Sequence, residues 1–268
     1  MLQALKVEWM KIKNYRTFWV LLAITVVSIP AFNYTFYNVM NNSFPKGPGR
    51  MLLGSPYAFP DVWQTVSWNA TLLFLVPAIL IITLTTNEFV FKTHRQNVID
   101  GWSRGQFVSI KLLQVLILTV ICTLVVVLTA LGFGFIGNKP PAGISAWQDS
   151  RFIFFFFVQM LSYSVIAFLL SMLIKRAGLA IGAFLIYMLL ENVVAGIGKH
   201  QYHVKWVNYL PEEVTDQLIP QPYLKSFLSK QDVIADWEHH IPIYLTVSLV
   251  YLIIYCLFIS RRFLKSDL

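Results

Sequence analysis

The chain has 268 residues, 57% of them hydrophobic and 13% charged, with a net charge of +8. Soluble domains carry about 25% charged residues, so this balance excludes an ordinary soluble domain and indicates a membrane protein. Cys122 and Cys256 both lie inside apolar runs, which argues against a disulfide framework, and no Cys/His spacing suits zinc.

Leu2 to Thr17 reads as an amphipathic helix. Leu2, Leu5, Trp9 and Ile12 recur at three and four residues, with Lys6, Lys11, Lys13 and Arg16 on other faces. Such a helix can lie in the membrane interface before the chain turns inward. No secretory signal peptide is evident in this charged start.

Six spans are expected, at residues 18–37, 65–86, 107–136, 152–174, 177–197 and 241–260. Each is near the ~20 residues that cross a hydrocarbon core. The third is longer than needed and should tilt or project. The expected fold class is therefore an all-α membrane protein, one transmembrane domain over 1–268 with an interfacial helix at 1–17. The stretch 41–64, with Pro45, Pro48, Pro56 and Pro60, reads as a turn-rich loop. Residues 199–240 form a longer loop whose segments 212–219 and 222–228 look like short amphipathic helices. Lys175-Arg176 leaves room only for a tight hairpin between the fourth and fifth spans.

The organising stretch is 88–106, a charged island between the second and third spans. Glu88, Lys92, Arg95, Asp100 and Arg104 keep it out of hydrocarbon. Residues 88–99 read as one short helix, with Phe91, Arg95 and Val98 at spacings of four and three. Asp100-Gly101 supplies a turn, since Gly accepts positive φ. Ser103 can cap the helix that follows.

Basic residues give the expected orientation. The side holding both termini, 88–106 and 175–176 has thirteen basic residues against four acids, and the other side has eight against eight. The first side is then cytoplasmic. The positive charge is accounted for by orientation, so no nucleic-acid partner is expected.

Enzyme motifs are missing. There is no His-Glu-x-x-His and no Gly-x-Ser-x-Gly. Gly196-Ile197-Gly198-Lys199 lacks the first Gly and the following Ser/Thr of a phosphate-binding loop. No catalytic residue and no metal site is expected; His200, His203, His239 and His240 read as solvated histidines at the ends of the long loop. Glu191 lies about fourteen residues into the fifth span, beside Asn192. An acid there costs on the order of 2.5–3.5 kcal/mol near a helix centre, and less toward the surface. It should face a cavity, a partner subunit or a basic side chain such as Lys199 or Lys205; a structural role and a place on a substrate path or gate both fit. Gly178 and Gly182, four apart, suit close helix packing, either inside the bundle or against a second copy. Asn69, Thr71, Gln159, Ser162, Ser164 and Ser171 are glue or cavity lining.

The island also resembles the type-2 ABC transporter permease family, of the type V exporter kind. The matching positions are Glu88, Thr93, Arg95, the Ser103-Arg104 pair and Lys111, with Tyr209-Leu210-Pro211 after the fifth span. The family is usually written with Gly before that Thr, where this chain has Lys92. The resemblance implies six spans, an N-terminal interfacial helix, a coupling helix between the second and third spans, and a bacterial inner-membrane location. It further implies a separate ABC ATPase subunit carrying ATP and Mg, a second permease copy, and export of a lipid, polysaccharide, antibiotic or peptide. Glu88, Phe91, Arg95, Val98, Asp100, Trp102, Ser103 and Arg104 would then contact the ATPase. A non-transporting membrane anchor, or a non-ABC transporter, fits the same hydropathy.

Overall fold

The computed structural model describes residues 2–43, 56–99, 101–137, 145–202, 204–224 and 231–265. Among these the regular structure is helical, with no strand. In chain order the helices are α1 (Leu2–Lys13), α2 (Arg16–Ser43), α3 (Val62–Thr71), α4 (Leu75–Val90), α5 (Thr93–Ile99), α6 (Arg104–Gly137), α7 (Arg151–Ile174), α8 (Ala177–His200), α9 (Glu213–Asp216) and α10 (Gln231–Lys265). Two 3-10 turns, Lys205–Tyr209 and Pro222–Leu224, flank α9. Helices α2, α6, α7, α8 and α10 are each long and apolar enough to cross a membrane.

The stretch expected as a straight second span is broken. Helices α3 and α4 meet at 49° across residues 72–74. Pro77 has no N–H to return to the Leu73 carbonyl, and its ring crowds that oxygen. Leu73 O instead accepts the Val76 N–H at 3.2 Å. Helix α3 also starts earlier than expected, inside the stretch read as a loop. Trp63 explains this: its ring is fully buried and stacks on Trp147, and its indole N–H donates to Ala146 O at 2.7 Å.

Helix α7 sits at the centre. It is apolar around its whole circumference, as a helix surrounded by others must be. Phe152, Phe155, Phe156, Met160, Ile166 and Phe168 are all buried, and α3, α4, α6, α8 and α10 pack around it. It ends at Lys175, in the left-handed region at φ 57°, and Arg176 is extended before α8 begins. That is the tight hairpin the sequence predicts. The Lys175 ammonium lies 5.3 Å over the Phe89 ring, so the hairpin and the end of α4 share one end of the bundle.

The opposite end is joined by polar contacts. Asn69 Nδ2 donates to Asn33 Oδ1 at 2.9 Å and to the Tyr57 hydroxyl at 3.0 Å, while the Tyr223 hydroxyl donates to Asn69 Oδ1 at 2.9 Å. Asn69 is therefore glue between α2, α3 and the long loop. Gly198 lets that loop approach α8: a Cβ there would fall 2.5 Å from Val207 Cγ1. Gly178 and Gly182 differ, since a Cβ at either would meet nothing within 4 Å. They do not serve close packing among the described residues.

Candidate functional site

The charged island folds around a buried ion cluster. Lys111, about two turns into α6, donates to Glu88 Oε1 at 2.8 Å and to Glu8 Oε2. Gln114, a turn further along α6, donates to Glu8 Oε2 at 2.8 Å. Lys11 donates to Glu8 Oε1 at 2.8 Å and to Asn97 Oδ1 at 3.1 Å, with its ammonium 3.6 Å from Glu88 Oε1. The Thr93 hydroxyl closes the cluster on Glu88 Oε2. Glu8, Glu88 and Lys111 are almost fully buried.

Two carboxylates and two ammoniums balance, which is what permits such burial. Burial by itself raises the Glu8 carboxyl; Lys111 and Lys11 more than reverse this and hold it below its ordinary value. Apart from Asn97 Nδ2, which is buried without an acceptor, these hydrogen bonds and ion pairs tie α1, α4, α5 and α6 together. Packing adds less here. A cavity of about 130 Å³, lined by Leu5, Trp9, Phe18 and Leu118, lies under α1, and one of about 210 Å³ adjoins it beside Tyr15, Asn87 and Phe91.

The island is not one helix over 88–99. It breaks after Val90 because Lys92 is left-handed, at φ 55°. This is the backbone shape glycine adopts without strain. The break takes Phe91 off the face of α5 and leaves it 69% exposed. Gly101 turns the chain at φ 94°, and Trp102 N–H donates to Asn97 O at 3.0 Å to close α5. Ser103 caps α6 as expected: its hydroxyl accepts Gln106 N–H at 3.2 Å, and Gln106 Oε1 accepts Ser103 N–H at 3.0 Å. Trp102 is half-buried with the Lys11 ammonium 5.9 Å from its ring. Arg104 is the first residue of α6 and half-buried. Arg95 and Val98 lie on α5, but their side chains, like Asp100 as a whole, fall outside the described residues.

Glu191 is buried, yet its partner is not a lysine. Its Oε1 accepts the backbone N–H groups of Glu212 and Glu213, the latter at 3.0 Å, and so holds the start of α9. Lys199 engages Glu213 instead. Asp216 Oδ1 accepts from Gln159 Nε2 at 2.6 Å and from the Tyr163 hydroxyl at 2.9 Å. Burial, then Glu191 and Asp216, push the Glu212 carboxyl up to about 9. Burial and the neighbouring acids raise Asp216 to about 7 against the pull of Tyr163 and Gln159. Asn192 is exposed and donates to its own helix at Met188 O, 2.9 Å. No group of three His, Cys, Asp or Glu among the described residues is placed to hold a metal ion.

Sequence reasoning missed Glu8, Lys11 and Gln114 as partners of the island. The signal was an acid, Glu8, set between Leu5 and Ile12 at helical spacing, and a lone Lys111 in an apolar run. An acid on the buried stripe needs a cation from elsewhere.

Long apolar helices around a buried α7, with a charge-balanced tie at one end, define a multi-pass α-helical membrane protein. The chain belongs to the family described as Protein of unknown function (DUF2705), whose model matches residues 20–268. No curated protein matches the chain.

Proposed function

We propose that this chain is the permease subunit of an ATP-driven ABC exporter in the bacterial inner membrane. In this reading α3 and α4 together make the second of six spans, α1 lies in the cytoplasmic interface, and α5 is the coupling helix. Both termini are cytoplasmic. A separate ATPase subunit binds ATP and Mg, a second copy of the chain completes the pathway, and the cargo is an amphipathic molecule.

The observation that supports the reading is the meeting of Glu88, Thr93 and Lys111. These are three of the positions that carry the permease resemblance, and they join α5 rigidly to the long rod of α6. A push on α5 would then reach the bilayer through α6 and move α1 with it. Val90 at the last residue of α4, and Phe91 and Ile99 beyond it, are exposed at this end, 59%, 69% and 77% respectively. Exposed apolar side chains among charges suit a protein contact. The open space beside Gly178 and Gly182 on α8 suits a second copy.

Purification of the tagged chain in native lipid should recover an ATPase subunit. Trp102→Ala with Arg104→Glu should reduce that recovery, since loss of an anchor costs about 2 kcal/mol at a hot spot, while membrane insertion is unchanged. Purification without any ATPase favours the non-transporting anchor instead.

A further inference from the structure

The acids at the end of the bundle opposite Glu88 differ in one respect, their donors. Glu191 accepts two backbone N–H groups, and Asp216 accepts from Gln159 and Tyr163. Glu213 is engaged by Lys199 and Gln217. Glu212 is 1% exposed, and neither of its carboxyl oxygens has a donor. Beside Asp216, Gln159 Oε1 is also buried without a donor. Three buried acceptor oxygens thus lack a hydrogen, in a place where two other carboxyl groups, Glu191 and Asp216, are also buried. An ionised Glu212 would be buried, unpaired and repelled. No metal-holding group of acids is present among the described residues, so the ligand that fits is the smallest cation.

We propose that Glu212 is a proton-binding site, and that its bound proton seats the 205–224 segment against α7, α8 and α10. The titratable groups that act on it are Tyr163 from α7, Tyr187 and Glu191 from α8, Asp216 from α9, and Tyr255 from α10, with Gln159 of α7 on Asp216. The carboxylates and phenols among these can only add negative charge as pH rises. Losing the proton therefore puts a further charge into a buried acidic site and loosens the Glu212 and Glu213 N–H bonds to Glu191. The folded segment keeps the proton between the ordinary value of 4.5 and about 9. The unfolded segment loses it over that window, so seating weakens as pH rises through it and levels off beyond. This inference does not depend on the exporter reading.

The test is amide hydrogen exchange on the full chain in lipid nanodiscs, comparing wild type with Glu212→Gln at each pH. The comparison cancels the intrinsic pH dependence of exchange. Wild type should lose protection at residues 212–216 by roughly tenfold or more as pH rises, one unit of linkage being a factor of ten. Asp216 titrates by about 7 in both proteins, so the decisive range lies above it: there Glu212→Gln, always neutral, should stay protected while wild type goes on losing protection. Asp216→Asn removes one repelling charge and should move the wild-type transition to lower pH, toward the ordinary Glu range. Infrared spectra of wild type alone should show a protonated-carboxyl band that persists above pH 7, past the Asp216 titration, and titrates out toward pH 9, which serves if the variants do not fold. Superimposable exchange in wild type and Glu212→Gln, or the absence of such a band above pH 7, overturns the proposal.

Discussion

Lys111 donates to Glu88 at 2.8 Å across 23 residues of sequence, with both side chains nearly free of solvent. The contact fixes where the chain leaves α4 and re-enters the bundle as α6. Removing one member of a buried pair strands its partner's charge, at a cost of about 3–5 kcal/mol. Lys111→Met should lower the thermal midpoint of the detergent-solubilised chain accordingly. Lys111→Met with Glu88→Gln should restore part of the loss, because one stranded charge is then gone. Equal midpoints for the single variant and wild type would show that the pair is not buried.

Acid should release α1. Glu8 is held below its ordinary value of 4.5. A depressed carboxyl contributes stability above its unfolded value and loses it as pH falls through the folded one. Exchange protection of α1 should thus drop below pH 4.5, while Glu8→Gln, weaker at neutral pH, should lack that acid step.

Lys92 holds a left-handed conformation, at φ 55°. Such a backbone costs a side-chain-bearing residue roughly 1–2 kcal/mol, and glycine's greater unfolded freedom offsets part of the relief. Lys92→Gly should stabilise the chain by about 0.5–1 kcal/mol, and Lys92→Val should destabilise it. Thermal unfolding of the two variants decides the matter by their opposite signs.

Orientation can be read by cysteine labelling in a background lacking Cys122 and Cys256. Gln106 and Gln221 are both exposed and lie at opposite ends of the bundle. Gln221→Cys should react with an impermeant reagent applied to intact cells, and Gln106→Cys only after permeabilisation. The reverse pattern would invert the topology.

The long apolar runs were legible because hydrophobic length alone identifies them, and α2, α6, α7, α8 and α10 contain the stretches expected. The Ser103 cap and the Lys175-Arg176 hairpin were legible too, since each is specified within a few residues. The break at 72–74 was written in Pro77 but hidden by an unbroken apolar run. Lys92 was poorly legible, because a lysine carries no local preference for the left-handed backbone it adopts. The ion cluster was least legible. Its members stand at positions 8, 88 and 111, and nothing local connects an acid on an amphipathic helix with a lysine 103 residues later. The acids at 191, 212 and 216 share that difficulty, since their proximity arises only when the loop folds back on α8.

The distance in sequence between Glu8 and Lys111 has a consequence for biosynthesis. A chain made from its N-terminus releases α1 long before α6 exists. Synthesis proceeds at about 5–20 residues per second, so the 103 residues separating the pair take roughly 5–20 s to appear. During that interval Glu8 has neither Lys111 nor Gln114 to pair with. Only after the third apolar run enters the bilayer can the helix rotate Glu8 inward and dock. Helix α1 is therefore translated well before its partners and completes its docking late, and its seating reports that the loop and the rod beyond it have already arrived.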